Sequence, residues 1–280
     1  MKYSYFPGCA SHGTAIDQHL STTAVCSALN IEITELPDWN CCGASAGHTV
    51  GGELSLALSE RNLVIASEAG MPVLVPCASC FSNLRKAAVH LGDSPDSSSA
   101  APPEVLNIAT VLSQPSVLET IRSRAVSTSK PLKIAPYYGC LLTRPAAFTG
   151  AQHPENPTEI EKVAQACGVE TVDWSCKTDC CGGPHTLAHP ELVEKMCTPL
   201  LEMAGRWGAD LIVTACPMCH ASLDTTQWNA ARHDKKNKVI PVLYLTELVA
   251  MSLGAPRQSR WLKRHLVDPR PLLREMGALR

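Results

Sequence analysis

Two adjacent cysteine pairs, Cys41-Cys42-Gly43 and Cys180-Cys181-Gly182, constrain this chain more than any other feature. Each pair has a single cysteine upstream and a Cys-x2-Cys hook downstream. The first set is Cys9, Cys41, Cys42, Cys77 and Cys80, spaced C-x31-CC-x34-C-x2-C. The second is Cys140, Cys180, Cys181, Cys216 and Cys219, spaced C-x39-CC-x34-C-x2-C. The same 34-residue gap twice, and a glycine after both pairs, mark an internal duplication with one metal–sulfur site per half. Cys26, Cys167, Cys176 and Cys197 stand outside the pattern.

At 280 residues the chain has room for about two domains. Its 45% apolar and 18% charged residues are globular values, enough for a sizeable core. A net charge of −2 argues against a nucleic-acid surface or an acidic tail. Fourteen cysteines in 280 residues is sparser than a small disulfide scaffold. Met1–Cys9 shows no basic region leading into an apolar run, so no secretory signal is expected. The longest apolar stretch, Ile240–Gly254, is broken by Thr246 and Glu247 and falls short of the ~20 residues of a membrane span. A cytoplasmic location is therefore expected, where cysteine clusters more often hold metal or do redox chemistry than form disulfides.

Both halves alternate strand and helix. Tyr3–Phe6, Ile31–Leu36 and Val73–Val75 read as strands, with Ala15–Leu29, Leu54–Ala69 and Ser82–Leu91 as helices. In the second half Leu132–Tyr138, Val169–Val172 and Leu211–Val213 read as strands, with Pro157–Ala166 and Pro190–Trp207 as helices. Val105–Leu112 and its counterpart Leu243–Val249 read as closing helices. Residues 92–103 read as a surface loop, and 113–130 as a polar connection. The expected domains are 1–128 and 129–255, followed by a basic tail, 256–280. The fold class is α/β: two Rossmann-like βαβ domains related by a pseudo-two-fold, with their sites at the carboxyl ends of strands.

Five cysteines per half, two of them adjacent, fit a tetrahedral zinc site poorly, since such a site takes four ligands from short hooks. Neighbouring side chains aim apart and suit an extended iron–sulfur cluster, in which thiolates reach different irons. Zinc and a vicinal disulfide or thiol switch remain the alternatives.

The complete double pattern resembles the cysteine-rich CCG domain, and the chain resembles the B-type subunit of heterodisulfide reductase from end to end. Phe6-Pro7-Gly8-Cys9, Tyr138-Gly139-Cys140, His153-Pro154-Glu155-Asn156-Pro157, Trp174 and Pro241-Val242-Leu243-Tyr244-Leu245-Thr246-Glu247 carry the resemblance further. It implies two non-cubane [4Fe-4S] clusters. Cys9, Cys41, Cys42, Cys77 and Cys80 would bind one; Cys140, Cys180, Cys181, Cys216 and Cys219 would bind the other. It also implies a disulfide split between the clusters by paired one-electron steps, or thiol or sulfane sulfur oxidised in reverse, as in bacterial sulfur oxidation.

No C-x2-C-x2-C-x3-C-P run and no Gly-x-Gly-x-x-Gly after a strand occurs, so neither a cubane ferredoxin site nor a flavin or NAD site is expected in this chain. The resemblance implies two partner subunits of a heterodisulfide reductase-like complex, one ferredoxin-like and one flavin-containing, with a lipoate-binding protein as a further partner. A second reading is an electron-relay subunit of the lactate or glycolate oxidase type; a third is a zinc-stabilised scaffold. His153, His185 and Cys176 are the candidates for proton or thiol chemistry beside the clusters. His12 and His48 read as loop or capping residues, Lys177 and Arg144 as a solvated face, and His220 as part of a helix start. In the tail, Trp261, Leu262, Leu266, Leu272 and Leu273 among the arginines offer a docking surface for a partner.

Overall fold

Each half builds the same small parallel sheet. The computed structural model describes residues 1–93, 101–126, 128–233, 239–256 and 258–279. Its first sheet comprises β1 (Lys2–Tyr5), β2 (Glu32–Glu35), β3 (Val73–Val75) and β4 (Val105–Asn107), in the order β2-β1-β3-β4. The second comprises β5 (Lys133–Tyr137), β6 (Glu170–Thr171), β7 (Leu211–Thr214) and β8 (Val242–Tyr244), in the order β6-β5-β7-β8. All pairings are parallel, so each connection must cross over one face of the sheet. β3 and β7 are buried along their whole length, which is why Val73-Leu74-Val75 and Leu211-Ile212-Val213 read as unbroken apolar runs.

Helices supply the crossovers. In the first half these are α1 (Ile16–Ala28), α2 (Ala46–Val50), α3 (Gly52–Glu68) and α4 (Ala78–Asp93), closed by α5 (Ile108–Leu112) and α6 (Pro115–Arg124). In the second they are α7 (Ala146–Thr149), α8 (Glu159–Ala166), α9 (Pro190–Arg206) and α10 (Pro217–His233), closed by α11 (Leu245–Ser252). The duplicated Rossmann-like arrangement is as the sequence implies. The halves also interlock: α11 packs on α1 across the junction, and α5 and α6 pack on α8 in return. Ser21 and Thr246 hydroxyls, 2.7 Å apart, hydrogen-bond across the α1–α11 contact.

Three expectations change. Val105–Leu112 and Leu243–Val249 are each a short strand followed by a helix, not a helix throughout. Three residues carry no period, and the boundary lies in the caps. The Asn107 side chain accepts from the Ala109 N–H, and Glu247 Oε2 accepts from the Tyr244 N–H at 2.9 Å. The polar connection contains α6, started by Pro115 in its first turn, where a missing N–H costs nothing. Most of the loop read over 92–103 lies outside the described residues.

The third change is the C-terminal segment. α12 (Gln258–Leu262) and α13 (Arg270–Glu275) fold onto the chain itself. Trp261, Leu262 and Leu273 are buried in the core and Leu272 packs against it, so these side chains are not free for a partner; Leu266 is the exposed one. The arginines give the segment the look of a tail, but its apolar residues recur at helical spacing and find an inner surface. Arg257 and Arg280 lie outside the described residues.

Leu262→Ala should therefore cost about 2–5 kcal/mol in a denaturant titration, as for a fully buried leucine. Leu266→Ala should change stability by less than about 0.5 kcal/mol. Equal small effects would mean that the segment contributes nothing to the fold.

Candidate metal centre

All ten patterned cysteines lie at the carboxyl ends of strands. Cys9 opens a 3-10 turn just beyond β1, the Cys41-Cys42 turn follows β2, and Cys77 follows β3, with Cys80 in the first turn of α4. Cys140, Cys180, Cys181, Cys216 and Cys219 take the same places after β5, β6 and β7. The glycine before the first cysteine is decisive in both halves. Gly8 has φ +77° and Gly139 φ +63°, a region that side chains rarely adopt. A Cβ on Gly8 would lie 3.0 Å from Cys80 Sγ, and one on Gly139 would lie 2.9 Å from Cys219 Sγ. The hook sulfur thus rests on bare backbone beside the first cysteine.

The two sulfurs of each vicinal pair have different neighbours within their set. Cys41 Sγ lies 3.8 Å from Cys9 Sγ, whereas Cys42 Sγ lies 3.2 Å from Cys80 Sγ. In the second half Cys140 lies close enough to Cys180 to shift its acidity, and Cys181 Sγ lies 3.4 Å from Cys219 Sγ. The glycine N–H after each pair donates back to the first cysteine, Gly43 to Cys41 at 3.5 Å and Gly182 to Cys180 at 3.4 Å. Burial runs from one end to the other. Cys42, Cys77, Cys80, Cys181, Cys216 and Cys219 are buried, Cys41 and Cys140 are half-buried, and Cys9 and Cys180 are exposed.

The two sets meet. Cys77 and Cys216 lie close enough to shift one another's acidity, and Ser79 Oγ donates to Met218 Sδ at 3.1 Å. Cys77 and Cys216 are equivalent residues of the two halves, as are Ser79 and Met218. Contact between equivalents is what a two-fold produces at its axis.

Crowding governs the thiol acidities. The hydrogen bond to Cys216, then burial, pushes Cys77 well up. Cys216 goes well down, held by Cys219 and Cys77 and by the N–H groups of Cys219 and Met218 at the start of α10. Cys180 is pulled down to about 6 by its bond from Cys140, with the Gly182 N–H and His185 adding to it. Cys42 is pushed up to about 12, chiefly by Cys41. Thiols packed this closely become thiolates together only around added positive charge, which a bound metal would supply. A single tetrahedral ion takes four ligands, one fewer than the five thiols that each set offers. The donor set fits an extended cluster in each half, and none of the fourteen cysteines is tied up in a disulfide.

Other candidates separate. His185 ends a 3-10 turn (Gly183–His185) beside Cys180 and is exposed. His153 is exposed on a cavity of about 390 Å³ that it lines with Arg85, Tyr138, Thr143 and Lys162. Cys176 is half-buried with a raised pKa from burial, its sulfur 3.8 Å from Ser175 Oγ; no hydrogen bond joins it to the ten cysteines among the described residues. His12 stacks on Trp39, ring centroids 5.5 Å apart, and His48 is exposed on α2. His220 is buried within α10, on the face away from solvent. Lys177 is not a surface cation: it is buried, with Nζ 2.8 Å from Glu161 Oε1 and 2.8 Å from the Pro157 carbonyl. Arg144 is held by Glu155 and Thr178.

The supports of the cysteine turns are not legible in the sequence. Ser59 Oγ and Asn83 Nδ2 each donate to the Cys42 carbonyl at 2.9 Å, and Ser55 Oγ donates to that of Gly43 at 3.1 Å. In the second half Cys197 Sγ takes the place of Ser59, 3.4 Å from the Cys181 carbonyl. Cys197 is therefore more than helix packing. Aligning α9 on α3 would have shown the equivalence.

The cysteine-rich domain family with the CCG signature matches residues 3–85 and 134–224, most of both halves. The chain belongs to the CCG cysteine-rich domain family. It is 31% identical over 278 residues to the 8-methylmenaquinol:fumarate reductase membrane anchor subunit of Wolinella succinogenes, covering 95% of this chain and 97% of that one. It is 27% identical over 269 residues to the B-type subunit of the ferredoxin/F420H2-dependent CoB-CoM heterodisulfide reductase of Methanosarcina acetivorans, covering 90% and 89%. A hypothetical protein from Helicobacter pylori shares the fold in its crystal structure, with TM-score 0.69 at 12% identity; the match covers 95% of this chain and about half, 51%, of that one. The likeness to these reductase subunits runs over nearly the full length of each chain, and both cysteine sets are complete here. No helix among the described residues is long and apolar enough to cross a membrane.

Gly139→Ala should strain the backbone by about 1–3 kcal/mol and displace Cys219 Sγ. Iron bound by the second half should fall, while that of the first half stays. Unchanged iron per chain would show that the sulfur need not rest on the glycine.

Proposed function

We propose that each five-cysteine set holds one non-cubane [4Fe-4S] cluster and that the chain reduces a disulfide at the junction of its halves, or oxidises thiols there in reverse. The observation carrying this reading is the closeness of Cys77 and Cys216, which makes the two sets neighbours. Bound there, the clusters would supply one-electron transfer and thiophilic iron, and a disulfide needs two electrons and two sulfur acceptors. The protein's part is positioning. The buried cysteines exclude water at the inner end of each set, and exposed Cys9 and Cys180 leave the outer edges open to substrate or to a partner. His185, beside Cys180, is placed to hand a proton to a released thiolate. Electrons would arrive from a ferredoxin-like partner fed by a flavin-bearing one, with a lipoate-binding protein as a further partner, in a cytoplasmic complex.

The second reading is electron relay within a quinol-linked reductase, and the likeness to the fumarate reductase protein favours it. A disulfide substrate would then be absent, and the clusters would hand electrons on. Anaerobic preparations separate the readings. About eight irons with matching sulfide per chain support both, whereas two zincs and no sulfide would leave a zinc scaffold. Paramagnetic resonance signals that change on adding a thiol substrate favour disulfide chemistry; signals indifferent to thiols and responsive to a quinol donor through the assembled complex favour relay.

Cys42→Ser and Cys181→Ser should each empty or convert one cluster, since a hard and poorly ionised oxygen replaces a thiolate. Full iron in both variants would sink the five-ligand assignment. Cys176→Ser should keep its iron and its turnover; lost turnover with full iron would bring back a protein thiol as a participant.

A further inference from the structure

Away from the cysteines, three ionisable side chains converge in the packed core: Asp17 of α1, Glu247 of α11 and His265 of the C-terminal segment. Their ligand atoms all lie within 4.8 Å of one another. His265 Nε2 is 2.9 Å from Glu247 Oε1 and 3.6 Å from Asp17 Oδ2, with side chains no more than 5% exposed. We propose that Asp17, Glu247 and His265 form a site for one divalent cation of the zinc class, clamping the C-terminal segment and the second half onto the first.

The donor geometry is that of a metal tripod. Ligands about 2.0–2.1 Å from a tetrahedral zinc stand about 3.3 Å apart, and the two measured separations fall on either side of that value. The far nitrogen of the ring is already engaged: His265 Nδ1 is 2.9 Å from the Val242 carbonyl. A ring that donates Nδ1–H to a backbone carbonyl presents the lone pair of Nε2, the arrangement metal-bound histidines adopt. Glu247 uses Oε2 on the Tyr244 N–H and leaves Oε1 for the site.

An independent observation points to a missing occupant. Asp17 Oδ1 is buried and has no hydrogen-bond partner, and an oxygen left so is costly. Burial pushes the Asp17 carboxyl up to about 6, with Glu247 adding to the shift. Burial also opposes charge on His265, but Glu247 and Asp17 outweigh it and hold the imidazolium up at about 9. One proton on His265 thus serves two carboxylates, with Asp224 and neutral His220 nearby. A dication in place of that proton balances both acids and offers Asp17 Oδ1 a partner. The fold itself does not demand the trio: the residue equivalent to Glu247 in α5 is Thr110, which is exposed.

The test counts metals in the full-length protein prepared anaerobically with its clusters, incubated with zinc and desalted. The expected result is about one zinc per chain beyond the iron, with iron unchanged. His265→Gln and Asp17→Asn should each weaken zinc binding at least tenfold and leave iron as it was. Cobalt in place of zinc should give weak ligand-field bands without intense thiolate-to-cobalt charge transfer, which separates this oxygen–nitrogen site from the cysteines. A zinc-free wild type, thiolate charge transfer in the cobalt form, or zinc retained by both variants would overturn the proposal and leave a proton-bridged ion triad. If a variant fails to fold, the wild-type cobalt spectrum decides alone.

Discussion

The contact between Cys77 and Cys216 is the constraint around which the molecule is arranged. Two buried thiols meet where the halves join, each at the carboxyl end of a fully buried strand and each followed by a helix whose first turn holds another cysteine. Apolar burial drives β3 and β7 into the two cores, and that burial carries the thiols inward with them. Neither half can bring its hook cysteines to the junction unless both sheets are formed and docked. A metal bound there, as proposed, would resolve the electrostatic difficulty of so many thiols in one place, since metal affinity and folding draw on the same free energy.

That arrangement explains the exchange of helices between halves. If the sheets touched only through the cysteine turns, the junction would be polar, small and dependent on its ligand. Instead α11 lies on α1, where Ser21 and Thr246 hydrogen-bond, and α5 with α6 lies on α8, so helix contacts join the sheets apart from the thiols. The C-terminal segment adds Trp261, Leu262 and Leu273 to the same core. The site is therefore preorganised by packing, as a centre with demanding donor geometry requires.

The duplicated cysteine spacing makes the α/β class, the repeat and the strand-end placement readable from the chain alone, because each is a consequence of period and chemistry. β4 and β8 stay hidden because three residues have no period, and the change from strand to helix at Asn107 and Tyr244 is written in caps. The C-terminal segment misleads through its arginines: charge is visible along a chain, whereas the inner face that receives Leu262 exists only after folding. Lys177 is misjudged for the same reason. Its partner Glu161 lies on α8, and nothing local announces the pair. Ser59 and Cys197 support the two cysteine turns from equivalent helix positions, yet a hydroxyl and a thiol share no motif.

A residue touching its own equivalent has a bearing on ancestry. Before the duplication, a single CCG unit with this surface would have met a second copy through the cysteine that now stands as Cys77 and Cys216. In such a pair both sites would have been identical by symmetry. Fusion released that identity. Cys9 is now more exposed than its counterpart Cys140, Cys180 more than Cys41, and the second half has gained a helical extension that packs back on the first. One gene can tune two sites separately, which two copies of one chain never could.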